Sequence, residues 1–147
     1  MGMLDIMFMV LSVIGAGLTL MIVYGAILKR RSIILTGLMF YSFLPIIGET
    51  VGMLTRKEPY HILFIGMFVV QLLITTINRV PFDEKDKTLM EYAKRMGGAL
   101  IIINLVSAIF ILLIVDTYPI HIGAFHGIIT LSLLYGIVQR LTGKMTH

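Results

Sequence analysis

The sequence predicts an all-α, polytopic membrane bundle of five transmembrane helices, with four as the alternative count, and three observations carry that expectation. Apolar residues fill 58% of the 147 positions and charged residues only 14%, which leaves a water-soluble chain too little polar surface to cover itself. The apolar residues are gathered into five runs, each near the roughly 20 residues that cross a hydrocarbon core. The basic residues sit in short patches at the ends of those runs, mostly on one side.

The first run covers about residues 6–28 and stops at Lys29-Arg30-Arg31, a triplet that normally stays in the cytoplasm. Its leader, Met1-Gly2-Met3-Leu4-Asp5, has no basic region, so the run is expected to be retained rather than cleaved as a signal peptide. Ile6 stands where a myristoylation signal has Ser or Thr, so no lipid anchor is expected. The second run covers about residues 33–54, the third about 62–78, the fourth about 98–115, and the fifth, which carries two His, about 120–139. Threaded alternately, these runs put Lys29, Arg30, Arg31, Arg79, Lys85, Lys87, Lys94, Arg95, Arg140 and Lys144 on one side. Only Arg56 and Lys57 fall opposite, which accounts for all 12 basic residues. The asymmetry predicts the N-terminus outside and the C-terminus in the cytoplasm. In the four-span alternative the last run lies in the interface instead of crossing.

Residues 1–147 thus read as a single transmembrane domain joined by short loops, with one longer connection at 79–96. That connection is expected to be a cytoplasmic interfacial helix or loop, opened by Pro81 and Asp83 and closed by Lys94 and Arg95, with Asp83–Lys87 and Glu91–Arg95 as i,i+4 pairs. Leu89, Tyr92, Ala93 and Met96 share one side of it, and Gly97-Gly98 is expected to turn the chain into the fourth span.

Composition excludes several chemistries. There is no cysteine, so disulfides, zinc-thiolate sites and thiol catalysis are ruled out. The basic excess belongs to topology and not to nucleic acid. No catalytic, nucleotide or metal motif is present, and no cofactor is expected.

What remains is a small set of polar and small residues inside the apolar runs. In Ser42-Phe43-Leu44-Pro45-Ile46-Ile47-Gly48-Glu49-Thr50-Val51-Gly52, helical spacing puts Ser42, Pro45, Glu49 and Gly52 on one face with Gly48 at its edge. Glu49 lies about 7 to 8 Å from the outer end of its run at 1.5 Å per residue. His126 is expected at a similar depth in the fifth run, so a Glu49–His126 contact is predicted, and an intramembrane ionisable pair is a candidate proton or ion site. Asp5, Asp116, His61 and His121 are expected near the same outer face. His121 and His126 are about 140° apart on a helix, so that helix is not expected to offer two ligands to a metal.

Gln71 and Asn104, each about seven residues from the cytoplasmic side, are expected to meet as interhelical glue. The small residues Ser12, Gly15, Ala16 and Thr19, then Gly48 and Gly52, then Gly123 and Gly127, are expected to pack helices within the chain or between chains. The Met residues, 11 in all, suit adaptable packing.

The string Asn78-Arg79-Val80-Pro81-Phe82-Asp83 resembles the Asn-Arg-x-Pro-Phe-Asp motif of the quinone-site membrane subunit of respiratory NADH dehydrogenase and related hydrogenases. The resemblance covers six residues. That family's loop is dense in Glu, whereas here Lys85 and Lys87 alternate with Glu84 and Asp86, and the chain is far shorter than that subunit, so the string assigns no family.

The leading expectation for function is a small accessory or structural subunit of a larger membrane complex, bound to other membrane subunits or to itself within the lipid bilayer. The alternative is an oligomeric transporter or channel for a proton, an ion or a small solute that uses Glu49 and His126. A membrane enzyme ranks third.

Overall fold

The computed structural model describes residues 3–78, 87–115 and 118–145. Among them are five helices, α1 (Met3–Ile27), α2 (Arg31–Arg56), α3 (Tyr60–Asn78), α4 (Lys87–Leu113) and α5 (Ile120–Leu141). Each is long and apolar enough to cross a membrane. The fifth is 22 residues long, about 33 Å at 1.5 Å per residue, so it is no shorter than a spanning helix needs to be.

Successive helices pack side by side, α1 on α2, α2 on α3, α3 on α4 and α4 on α5, and α5 returns to α1. The result is a closed ring. Two tight turns set its geometry. After α1, Lys29 adopts φ 58°, the Arg30 N–H donates to the Gly25 carbonyl at 2.9 Å and the Lys29 N–H to Ala26 at 3.1 Å. That is a Schellman closure, which caps the orphan carbonyls of α1. It brings α2 so near that a β-carbon on Gly25 would lie 2.9 Å from the Ile34 nitrogen, so this position requires glycine. After α2, Lys57 closes the helix in the same left-handed region, its N–H donating to Met53.

α4 departs from expectation. Residues 87–96 are not a separate interfacial helix within the described residues; they are the first turns of α4, which runs straight through Gly97 and Gly98. Glycine in a helix interior costs only about 1 kcal/mol against alanine. Gly97 also has a packing use, because a β-carbon there would meet Ile137 of α5 at 3.2 Å. The Glu91–Arg95 pair forms at 3.2 Å on the exposed side. Residues 79–86, including Asp83, lie outside the described residues.

Burial is inverted relative to a water-soluble protein. Leu20, Leu54, Leu113, Ile120 and Leu131 are exposed on the outside of the ring, while Ser42, Gln71, Thr75, Asn104 and Ser107 are fully buried within it. Apolar clusters lie on both sides of this polar level. Ile22, Ile34, Leu38, Leu100 and Ile129 pack toward the Arg31 end, and Phe64, Phe68, Ile103 and Ile111 toward the Glu49 end.

Candidate functional site

Four helices each contribute one polar side chain to a continuous hydrogen-bonded belt. Gln71 Nε2 of α3 donates to Ser42 Oγ of α2 at 3.1 Å, Asn104 Nδ2 of α4 donates to Gln71 Oε1 at 2.7 Å, and His126 Nδ1 of α5 lies 3.1 Å from Asn104 Oδ1. Backbone carbonyls fix the polarity of the belt. Ser42 Oγ donates to the Leu38 carbonyl at 2.8 Å and Asn104 Nδ2 also faces the Leu100 carbonyl at 2.9 Å. A carbonyl can only accept, so the Ser42 oxygen must accept from Gln71, and the Asn104 oxygen is left to face His126. His126 Nδ1 therefore carries a proton, and in the neutral imidazole Nε2 holds the lone pair. Such a network satisfies each buried group and contributes about 0.6 kcal/mol per interhelical bond in a bilayer. Its larger effect is to prescribe which atoms may donate.

Closer to the other end of α2, Glu49 is buried, and its partners come from the nearby helix end and loop. His61 Nδ1 lies 2.6 Å from Glu49 Oε2. Tyr118 Oη donates to both carboxylate oxygens, at 2.8 and 2.7 Å, and passes 3.4 Å from His61 Nδ1. Gly52, one turn from Glu49, makes room for the imidazole: a β-carbon there would be 2.5 Å from His61 Cε1. Tyr60 covers the ring at a centroid distance of 4.4 Å. His61 Nε2 is buried with no hydrogen-bond partner among the described residues. Burial raises the Tyr118 phenol well above its ordinary range, and the Glu49 charge and hydrogen bond add to the shift; Arg56 opposes it. Tyr118 thus stays a donor to Glu49 through the physiological range.

The predicted Glu49–His126 contact does not form. The carboxylate is taken by His61 and Tyr118, and His126 sits at the level of the belt, edge-on to Tyr41 at 5.4 Å. The two residues instead line one cavity of about 70 Å³ inside the ring, walled largely by Tyr41, Phe64, Phe68 and Phe125. At about 30 Å³ per water, it has room for two or so. A larger groove of about 530 Å³ between α1 and α5 shares Phe8, Ser12, Tyr118 and Ile122 with that wall, so the cavity adjoins the outside of the ring along this seam.

The other predicted residues are dispersed. His121 is exposed and its Nε2 lies 3.0 Å from Ser12 Oγ, across the same seam. Asp116 and the side chain of Asp5 lie outside the described residues. Among the described residues, no three His, Asp or Glu side chains converge as metal ligands. Gly15 is in ordinary contact with Leu44 and Phe125, and Gly48 with Phe8. Gly123 is tighter, with a β-carbon there reaching Leu112 at 2.6 Å, whereas Gly127 faces open space. Asn78 Oδ1 accepts from Arg31 at 3.2 Å, and residues 79–83 of the six-residue string are outside the described part.

His61 was anticipated only as a neighbour of the outer face, and the Tyr118 phenol was not anticipated at all. The available signal was the short 57–59 turn, which holds His61 beside the last turns of α2. No protein-family model, curated protein or solved structure matches this chain.

Proposed function

We propose that this chain is an integral membrane protein whose five helices cross the bilayer, N-terminus outside and C-terminus in the cytoplasm. We propose further that it conducts or transports a proton, ion or small solute through the Glu49–His126 cavity. Insertion is supported by the inverted burial of the ring, since only a lipid surround rewards an apolar exterior around a polar interior. Orientation is supported by the distribution of the 12 basic residues. The observation that carries the transport reading is the cavity itself, in which a buried carboxylate and a buried imidazole line one space within a closed ring of helices. Ionisable groups at such depth are costly, and the cost is characteristically met at ion and substrate paths.

The experiment is flux in proteoliposomes. With a pH-sensitive dye enclosed, the wild type carries an imposed proton or cation gradient, and Glu49→Gln reduces the rate about tenfold, equivalent to roughly 1.4 kcal/mol in the barrier, while oligomeric size and helicity persist. Equal rates in wild type, Glu49→Gln and empty vesicles would remove this reading.

An accessory role in a larger membrane complex is a second reading, supported by a different observation. Gly17 of α1 and Gly66 of α3 are exposed, with open space where a side chain would be, and small outward positions allow another transmembrane helix close approach. A native gel of gently solubilised protein separates the two: dissimilar companion chains support the subunit, a single species supports the transporter.

A further inference from the structure

We infer that the groove between α1 and α5 seats one acyl chain of an anionic phospholipid from the bilayer, with the lipid phosphate on Arg56. This goes beyond the transport reading and does not require the Glu49–His126 cavity to conduct anything. It takes from the proposed topology only that the helices lie in lipid.

The groove measures about 530 Å³ and owes its space to missing bulk: Ser12 and Ala16, one turn apart on α1, line it with small side chains, beside Phe8, Met9, Val13 and Ile122. Met9 and Val13 are exposed, so the groove opens to the surround of the ring. From Phe8 to Ala16 the wall runs about 12 Å at 1.5 Å per residue. That length fits within one leaflet, half of a hydrocarbon core roughly 30 Å thick. A helix about 10 Å across would displace about 900 Å³ over the same length, so a second copy of the chain would lie against the groove without filling it. A single hydrocarbon chain fills it and meets an apolar wall.

Charge narrows the class. Arg56 lines the groove, and no Asp or Glu does among the described residues. The ion pairs found among those residues, His61–Glu49 and Glu91–Arg95, do not use Arg56. A guanidinium fork takes phosphate oxygens in pairs. Arg56 and its exposed neighbour Lys57 are also the two basic residues that stand against the positive-inside bias, and an anionic headgroup at this place gives them a use. Tyr118 contributes only its ring here, because its hydroxyl is bonded to Glu49. The bond between His121 and Ser12 gives the wall a second polar point, and a phospholipid has a matching one in its ester groups. A neutral lipid would offer Arg56 no counter-charge, and a zwitterionic one compensates its phosphate with a cation of its own.

The experiment places the full chain in phosphatidylcholine vesicles doped with phosphatidylglycerol that carries a photoreactive diazirine on one acyl chain. After illumination, cross-linked peptides are mapped by mass spectrometry. Labels should concentrate on Met9, Val13 and Ile122, above those on Val69 and Leu73, which are exposed on α3 and report insertion independently. Ala16→Phe, which fills the groove, should remove that excess and leave the α3 labels as they were. Arg56→Gln should cut the seam labels about fivefold, the ratio for one basic residue beside an anionic lipid. Added unlabelled phosphatidylglycerol should compete where the same amount of phosphatidylcholine does not. Equal labelling of the seam and α3, a seam signal unchanged in either variant, or equal competition by phosphatidylcholine or palmitate would overturn the assignment. A cross-link between two copies at the seam in place of lipid would overturn it too. Should Ala16→Phe lose its fold, the exposed Arg56→Gln variant and the competition series on the wild type decide. Loss of label from α3 and the seam together would remove insertion as well, whereas flux without seam labelling would overturn the lipid site alone.

Discussion

The His61 imidazole lies against the bare Cα of Gly52, and that contact is what lets Nδ1 reach Glu49 at 2.6 Å. A β-carbon on Gly52 would meet three ring atoms, at 2.5, 2.9 and 3.0 Å, and the ring cannot retreat because Tyr60 covers it at 4.4 Å. Glycine here has a structural reason distinct from helix association in general.

Gly52→Ala should therefore displace His61 rather than merely loosen α2 from α3. Overpacking of a filled site costs about 1–3 kcal/mol, and this variant should lower the thermal midpoint of the purified protein accordingly. Gly127→Ala, which has open space around it, is the matched control and should leave the midpoint within error. Equal midpoints for the two variants would mean that the His61 seat contributes nothing to stability.

Tyr118 gives a pH dependence with a definite sign. Its phenol is raised above the ordinary value of 10.0 by burial first and then by Glu49. A raised acid keeps its proton in the folded state, so its contribution is fully present below the unfolded value and is lost as pH rises from about 10 toward the folded one. The wild type should lose stability progressively above pH ~10. In Tyr118→Phe that alkaline loss should be smaller, with lower stability at neutral pH because Glu49 has lost a donor. Parallel pH profiles for the two proteins would count against the Tyr118–Glu49 bond.

The polar belt can be tested at Asn104, which holds Gln71 and His126 together. Asn104→Leu strands both partners, and each unsatisfied buried group costs about 1–3 kcal/mol. Nitrogen NMR on labelled protein should find His126 protonated at Nδ1 in the wild type and a mixture of tautomers in the variant. A wild-type His126 protonated at Nε2 would contradict the polarity derived from the Leu38 and Leu100 carbonyls.

The legible and illegible parts of this molecule divide along a physical line. Five apolar runs announce five helices because length and hydropathy are local properties. The Gln71–Asn104 contact was foreseeable because an amide among apolar residues has few alternatives to another amide at its own level. The height of His126 was not, since it depends on how α5 is staggered against α2, and counting residues from nominal run ends assumes that all ends are level. Glu49's partners were hidden for a related reason: His61 begins a helix and Tyr118 precedes one, and such positions are set by tertiary packing. The Gly97-Gly98 pair was misleading because glycine marks either a turn or a close approach, and here Ile137 makes Gly97 the latter, while Gly98 faces open space.

Orientation is the last test, and the absence of cysteine makes it a clean one, because any introduced thiol is the sole target. Lys57, in the turn after α2, and Lys144, beyond α5, are both exposed and belong to opposite ends of an alternately threaded ring. With ten basic residues on the Lys144 side and Arg56 and Lys57 on the other, the positive-inside bias is strong. A membrane-impermeant maleimide should label Lys57→Cys in intact cells and Lys144→Cys only after permeabilisation. Labelling of both from outside would mean that α5 does not cross, which would open the ring at its α1 seam and leave the Glu49–His126 cavity without one of its walls. The reverse pattern would keep the ring but invert it, and the carboxylate end of the cavity would then face the cytoplasm.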